Sequence, residues 1–186
     1  MSTSRRGFAL LAVSAAVALG ALVSGCEGSA ASSGPGAKSP ESSAQDFTTR
    51  DADGNTVRLS DHLGKKVIVL DFWATTCQPC LAQFPHLNRI YASHKDKGLV
   101  VLAVSMDGPD TVANVPAYAK RNSLAFPVLL DEDSRIATVY NPKKSEPYVV
   151  LIDKTGKIVR AREGYNPGDE KPLEEDIVKV LAGQAL

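Results

Sequence analysis

Residues that build metal centres are scarce here: 186 positions carry three cysteines and three histidines. A structural zinc site takes four ligands, commonly a second CxxC or paired histidines. His62, His86 and His94 are scattered without ligand spacing, and only Cys77 and Cys80 lie close together, so no metal is expected. Charge of one sign is also missing, since Lys plus Arg and Asp plus Glu each total 21. With no basic run or stripe, the electrostatic footprint of a nucleic-acid partner is absent. The chain lacks long apolar runs as well. Its strongly apolar stretch near the N-terminus, Phe8 to Val23, falls short of the roughly 20 residues that a membrane-spanning helix needs.

The flanks of that stretch give it another use. Arg5 and Arg6 precede an uncharged, alanine- and leucine-rich run from Gly7 to Gly25, the charged start and apolar middle of a secretory signal. Ser4-Arg5-Arg6-Gly7-Phe8 fits a twin-arginine export signal as well as an ordinary one. The run ends in Val23-Ser24-Gly25-Cys26, which resembles a bacterial lipobox, where a cysteine after small residues is lipidated on its thiol and becomes the new N-terminus. Lipidation would account for Cys26, the odd third cysteine; ordinary cleavage nearby would discard it or leave it free. Residues 27–44 hold no large apolar side chain, cannot bury enough surface to offset their ordering entropy, and read as a flexible tether. The expected organisation is a lipoprotein signal peptide over 1–25, a tether over 26–44 and one folded domain over 45–186. Such a protein sits outside the cytoplasm, on the periplasmic side of a bacterial cell membrane, held there by its lipid.

Within the folded part, Asp51-Ala52-Asp53-Gly54-Asn55 is a turn cluster between two β-compatible stretches, Asp46 to Arg50 and Thr56 to Leu59, and reads as a hairpin. Val67 to Phe72 is a nearly continuous apolar run, as expected of a strand covered on both faces. From Gln78 to about His94, Leu81, Phe84, Leu87 and Tyr91 recur at helical spacing, with a kink expected at Pro85. Leu99 to Ser105 is the next buried strand. Asp110 or Thr111 can cap a helix whose Val112, Val115 and Tyr118 or Ala119 face inward. Phe126 to Leu130 reads as a strand and Ser134 to Tyr140 as a short helix. Tyr148 to Ile152 and Lys157 to Arg162 form a second hairpin, and Leu173, Ile177, Val180 and Leu181 mark a final helix. Strands alternating with helices give an α/β fold, a central mixed sheet flanked by helices.

The stretch Trp73 to Cys80, WATTCQPC, directly follows the first buried run. Its cysteines fall at the carboxyl end of a central strand, where a helix begins and where open α/β sheets bind ligands. A CxxC there suits thiol exchange. Cys77 lies near the N-cap, where free backbone N–H groups and the helix dipole stabilise a thiolate. Cys80, one turn along, can resolve a mixed disulfide, and Pro79 fits the first turn, where its missing N–H costs nothing. Spacing alone equally allows a structural disulfide in an exported protein.

Asp71-Phe72-Trp73-Ala74, Cys77-Gln78-Pro79-Cys80, Pro85 and Pro147 before a strand resemble the pattern of thioredoxin. The stretch Asp46 to Cys80 and the extra strand-helix segment around Leu99 to Asp131 are closer still to the TlpA-like (ResA-like) membrane-tethered thiol-disulfide oxidoreductases. The resemblance implies a thioredoxin-like fold with an N-terminal β-hairpin and an inserted strand-helix segment. It makes Cys77 the attacking thiol and Cys80 the resolving one. Pro147 becomes a cis proline facing the pair, so that a partner peptide can pair along the edge of Glu146; an ordinary trans proline opening a strand is the alternative. Trp73, Thr76, Gln78 and Pro79 become walls of the substrate groove. Asp71 maps onto a buried acid that takes the proton of Cys80, unless it is a polar residue at an exposed strand end. The implied partners are cysteine-containing exported proteins, such as apocytochrome c, and a membrane thiol electron donor of the DsbD or CcdA type. No cofactor is implied, and the expected state is a monomer.

Three positions depart from the family pattern: Thr76 replaces a bulky residue, Gln83 a glutamate, and Glu146 an apolar or hydroxylic residue. A Glu146 carboxylate about 6 Å from the Cys77 sulfur, at an effective dielectric of about 40, opposes the thiolate by about one pKa unit. That favours the disulfide and a more reducing potential, unless Lys143 and Lys144 cancel it. Two other activities share parts of this pattern. A peroxiredoxin-like peroxidase shares the early hairpin and strand but needs a proline before its cysteine, and none lies between Asp46 and Cys77. A copper metallochaperone generally spaces its cysteines by three and adds a distant histidine, which is missing near the Pro147 strand.

Overall fold

The computed structural model describes residues 42–186, so the expected signal peptide, Cys26 and most of the tether lie outside the described residues. The first apolar run forms the centre of the sheet. Strand β3 (Val67–Trp73) is buried along its whole length, flanked by β4 (Leu99–Ser105) in parallel and β6 (Tyr148–Ile152) in antiparallel register. The parallel strand β5 (Val128–Leu130) and the antiparallel β7 (Ile158–Glu163) complete the order β5-β4-β3-β6-β7. A separate two-stranded hairpin, β1 (Thr48–Arg50) and β2 (Thr56–Arg58), stands before it. The hairpin covers the β5 side, with the Ala52 N–H on the Val128 carbonyl and the Thr49 hydroxyl on that of Leu130.

Alternation along β3 divides the core in two. Val67, Val69 and Trp73 face helices α1 (Gln78–His94) and α4 (Glu170–Leu181), while Ile68, Leu70 and Phe72 face α3 (Arg135–Tyr140) and the hairpin. Each fully buried large side chain contributes roughly 1.5–3 kcal/mol. Helix α2 (Val115–Arg121) lies beyond β4 and presents Val115 and Tyr118 to the first of these clusters.

The elements differ from expectation in four places. The buried line of α1 is Cys80, Gln83, Phe84, Leu87, Ile90 and His94, with Leu81 and Tyr91 only half-buried. The helix is turned so that Cys80 and Gln83, one turn apart, face the sheet. Neither Asp110 nor Thr111 caps the next helix, because a 3-10 turn over Val112–Asn114 precedes α2 and Thr111 bonds Asp107 instead. Strand β5 begins after Pro127, which has no N–H for the ladder, although its carbonyl accepts from Ala103. Ladder contacts also begin before Gln45: Ala44 N–H bonds the Gly156 carbonyl, and Ile158 N–H bonds that of Ser42.

Candidate active site

Strand β3 ends at Trp73, and a short turn delivers Cys77 to the N-cap of α1. The Cys80 N–H donates to the Cys77 sulfur at 3.3 Å, an unpaired helix-end donor aimed at the atom that would carry thiolate charge. Cys77 and Cys80 are joined in a disulfide with Cα atoms 5.3 Å apart. Cys77 keeps 8 % of its surface exposed and Cys80 none, so a partner sulfur reaches Cys77 first. Thr76, Gln78 and Pro79 are exposed around it.

Trp73 does not line a groove. It is fully buried, 4.8 Å from the Phe84 ring and 5.3 Å from that of Tyr118. As a β3 residue on the α1 face, it forms the packed floor under the turn.

The Glu146–Pro147 peptide is cis. The pairing of Phe72 with Tyr148 puts Pro147 level with Trp73, at the sheet edge from which the CxxC emerges. The Pro147 carbonyl accepts the Gly164 N–H at 2.8 Å. Glu146 is exposed beside it. Partial burial, then the nearby Asp107 charge, push its carboxyl above the usual range. Lys143 is held by Glu163 at 3.5 Å, so its charge is engaged elsewhere.

Asp71 has no exposed surface. Its Oδ1 accepts from the Gln83 side-chain amide at 3.3 Å, and its Oδ2 has no hydrogen-bond partner among the described residues. Burial pushes its pKa up to about 8, against a smaller lowering by the Gln83 bond. Its neighbours across the sheet, Ala103 and Val149, are apolar. On that face, Arg160 and Arg162 of β7 are both bound to Asp176 of α4.

Sequence reasoning missed two contributors. Gln83 was noted only as a departure, although its position one turn after Cys80 places it on the sheet-facing line. Asp107 was not singled out, although it follows β4 at the same carboxyl edge as the CxxC. It is 3 % exposed and accepts from the Thr75 N–H at 2.9 Å and the Thr75 hydroxyl at 2.5 Å. A cavity of about 280 Å³ between the hairpin and α3, lined by Phe47, Ile136 and Tyr140, includes none of these groups.

A dithiol pair that opens a helix at the carboxyl edge of a mixed sheet, level with a cis proline, defines a thioredoxin-fold thiol-disulfide oxidoreductase. Comparison with known proteins agrees. The AhpC/TSA family model matches residues 40–161. Thiol-disulfide oxidoreductase ResA of Geobacillus kaustophilus is 38% identical over 117 residues, 63% of this chain and 65% of that protein. ResA of Bacillus thuringiensis subsp. konkukian is 34% identical over 137 residues, 74% of this chain and 76% of the relative. A crystal structure assigned to a thiol:disulfide interchange protein DsbE from Chlorobium tepidum superposes with a TM-score of 0.70 at 33% identity, covering 76% of this chain and 96% of that one. The chain belongs to the AhpC/TSA family and, within it, to the thiol-disulfide oxidoreductases related to ResA.

Proposed function

We propose that this protein reduces disulfides of exported proteins, apocytochrome c among them, while tethered to the membrane through a lipid on Cys26. The reading is carried by one arrangement: the Cys77 sulfur receives the Cys80 N–H at the start of α1, just after the strand that carries the buried Asp71. In the reduced protein the Cys77 thiolate attacks one sulfur of the partner disulfide. That S–S bond breaks, the second partner sulfur leaves as a thiolate, and a mixed disulfide forms. Cys80 then gives its proton to Asp71 and attacks the Cys77 sulfur, which releases the partner's other sulfur and closes the Cys77–Cys80 disulfide. Two electrons pass to the partner. A membrane thiol donor of the DsbD or CcdA type restores the dithiol.

An Asp71 pKa of about 8 lies close to the ordinary cysteine value of about 8.5, the match that efficient proton transfer requires. Replacing Asp71 by Asn is expected to slow release of the mixed disulfide more than its formation; equal slowing of both steps would remove the role. Glu146 opposes the thiolate and favours a reducing potential. The deciding measurement is an equilibrium redox titration of the Cys77/Cys80 pair against glutathione or dithiothreitol buffers. A potential near or below roughly −220 mV supports a reductant, and one near roughly −120 mV marks an oxidant that inserts disulfides.

A further inference from the structure

Asp107 is a buried carboxylate that no cation pairs with among the described residues. Its Oδ2 accepts from the Thr75 N–H at 2.9 Å and from the Ser105 hydroxyl at 2.9 Å, and its Oδ1 accepts from the Thr75 hydroxyl at 2.5 Å. Its own N–H returns to the Ser105 oxygen at 3.2 Å, and Thr111 adds a further bond. Burial alone would raise the Asp107 pKa, but the bonds from Thr75, Thr111 and Ser105 together outweigh it and hold the carboxyl below its usual range. No lysine or arginine pairs with it among the described residues. The group is a fixed negative charge.

Its location gives that charge a task. Thr75 stands two residues before Cys77, in the turn that carries the chain from β3 to α1. The Met106 N–H bonds the Trp73 carbonyl at 2.8 Å, so the end of β4 is tied to the end of β3 where the turn starts. Asp107 holds the turn one step further along. Across the site, its charge is felt by Glu146 on the Pro147 loop. The other charged groups on that loop are Lys144 and Lys143, the latter paired with Glu163 at the end of β7.

We propose that Asp107 is the positioning residue of the nucleophile turn, clamping Thr75 so that Cys77 is presented at the start of α1, while its fixed charge disfavours the Cys77 thiolate. The proposal rests on the thiol-exchange reading and adds a second carboxylate to the Glu146 argument. Asp107 is 3 % exposed, and a charge sealed from solvent is screened less than an exposed one.

Two variants of the full chain test it without any partner protein. Asp107→Asn keeps the size and one acceptor oxygen but removes the charge. The Cys77 pKa, followed by thiolate absorbance in the reduced protein, is expected to fall by about one unit. Above the Cys77 pKa, where the thiolate dominates, the dithiol–disulfide equilibrium is expected to shift tenfold, about 30 mV towards a more oxidising potential, and by less at lower pH. A folded Asp107→Asn with lower thermal stability but an unmoved Cys77 pKa overturns the electrostatic half. Thr75→Val removes one bond of the clamp and leaves both the Thr75 N–H and the Asp107 charge. It is expected to slow closure of the Cys77–Cys80 disulfide from a Cys77 mixed disulfide severalfold, with the Cys77 pKa unmoved; unchanged closure overturns the positioning half. Failure of the wild type to reduce protein disulfides would count against the proposed function alone, since both readouts are internal to the chain.

Discussion

Asp71→Asn should make the protein more stable at neutral pH, and increasingly so as pH rises. Unfolded, the Asp71 carboxyl titrates near its ordinary 3.8; folded, with no exposed surface and only Gln83 bonded to it, it titrates near 8. Between these values the native state holds a proton that the unfolded state has released. Stability is therefore fully present below about pH 4 and is lost as pH rises towards 8, at about 1.4 kcal/mol per pH unit. At pH 7 the accumulated loss is about 4 kcal/mol, a large share of a typical domain's stability. Asparagine does not titrate, so this loss disappears. An unbonded amide N–H in place of Oδ2 costs about 1–3 kcal/mol at every pH, which shifts the curve without tilting it. The assay is denaturant unfolding of both proteins with the disulfide intact, so that neither Cys77 nor Cys80 titrates, at intervals from pH 5 to pH 8. The stability difference should grow steadily in favour of the variant. Parallel pH profiles would refute the reasoning, because they would mean that Asp71 is not a buried acid with a raised pKa.

Four further outcomes are expected. Gln83→Leu removes the bond that stabilises the Asp71 carboxylate, so the Asp71 titration, followed by carboxyl carbon NMR, should move up by about half to one pKa unit. Glu146→Gln should raise the redox potential by at most about 30 mV, since its carboxyl is exposed; an unmoved potential would remove Glu146 from the tuning. Asp176→Ala should cost about 1.5–3 kcal/mol in urea unfolding, because it removes the buried carboxylate that binds both half-buried Arg160 and Arg162. Arg89→Ala, which opens the exposed pair with Glu174, should cost less than about 1 kcal/mol.

What could be read from the chain depended on how local each signal is. Val67 to Phe72, the Asp153 to Gly156 turn and the helix after Cys77 announce themselves through short-range pattern, and all appear where the pattern puts them. Cys77 and Cys80 were legible because their chemistry needs only adjacency and a helix start. Trp73 was misjudged because strand parity decides whether it faces a groove or a core, and that parity is known only once α1 packs. Gln83 and Asp71 lie 12 residues apart, so nothing in the sequence declares the amide to be a donor for the acid. Asp107 is harder still, since its link to Thr75 spans 32 residues and exists only because β3 and β4 end side by side. The failed cap at Thr111 has the same cause: its side chain bonds Asp107 and does not accept from the N–H groups of the following turn.

The pairing of Ser42 to Ala44 with the Gly156–Ile158 segment has a mechanical consequence. Strand β7 runs from Ile158 to Glu163, and it is Glu163 that lies opposite Tyr148, beside the Pro147 edge. The N-terminal segment therefore enters at the far end of the sheet from Cys77 and occupies the start of an otherwise open strand edge. Any pull transmitted along the N-terminus falls on the back of the domain, several strand residues away from the exchanging sulfurs. The redox face is left clear of that attachment, at the opposite end of the strands.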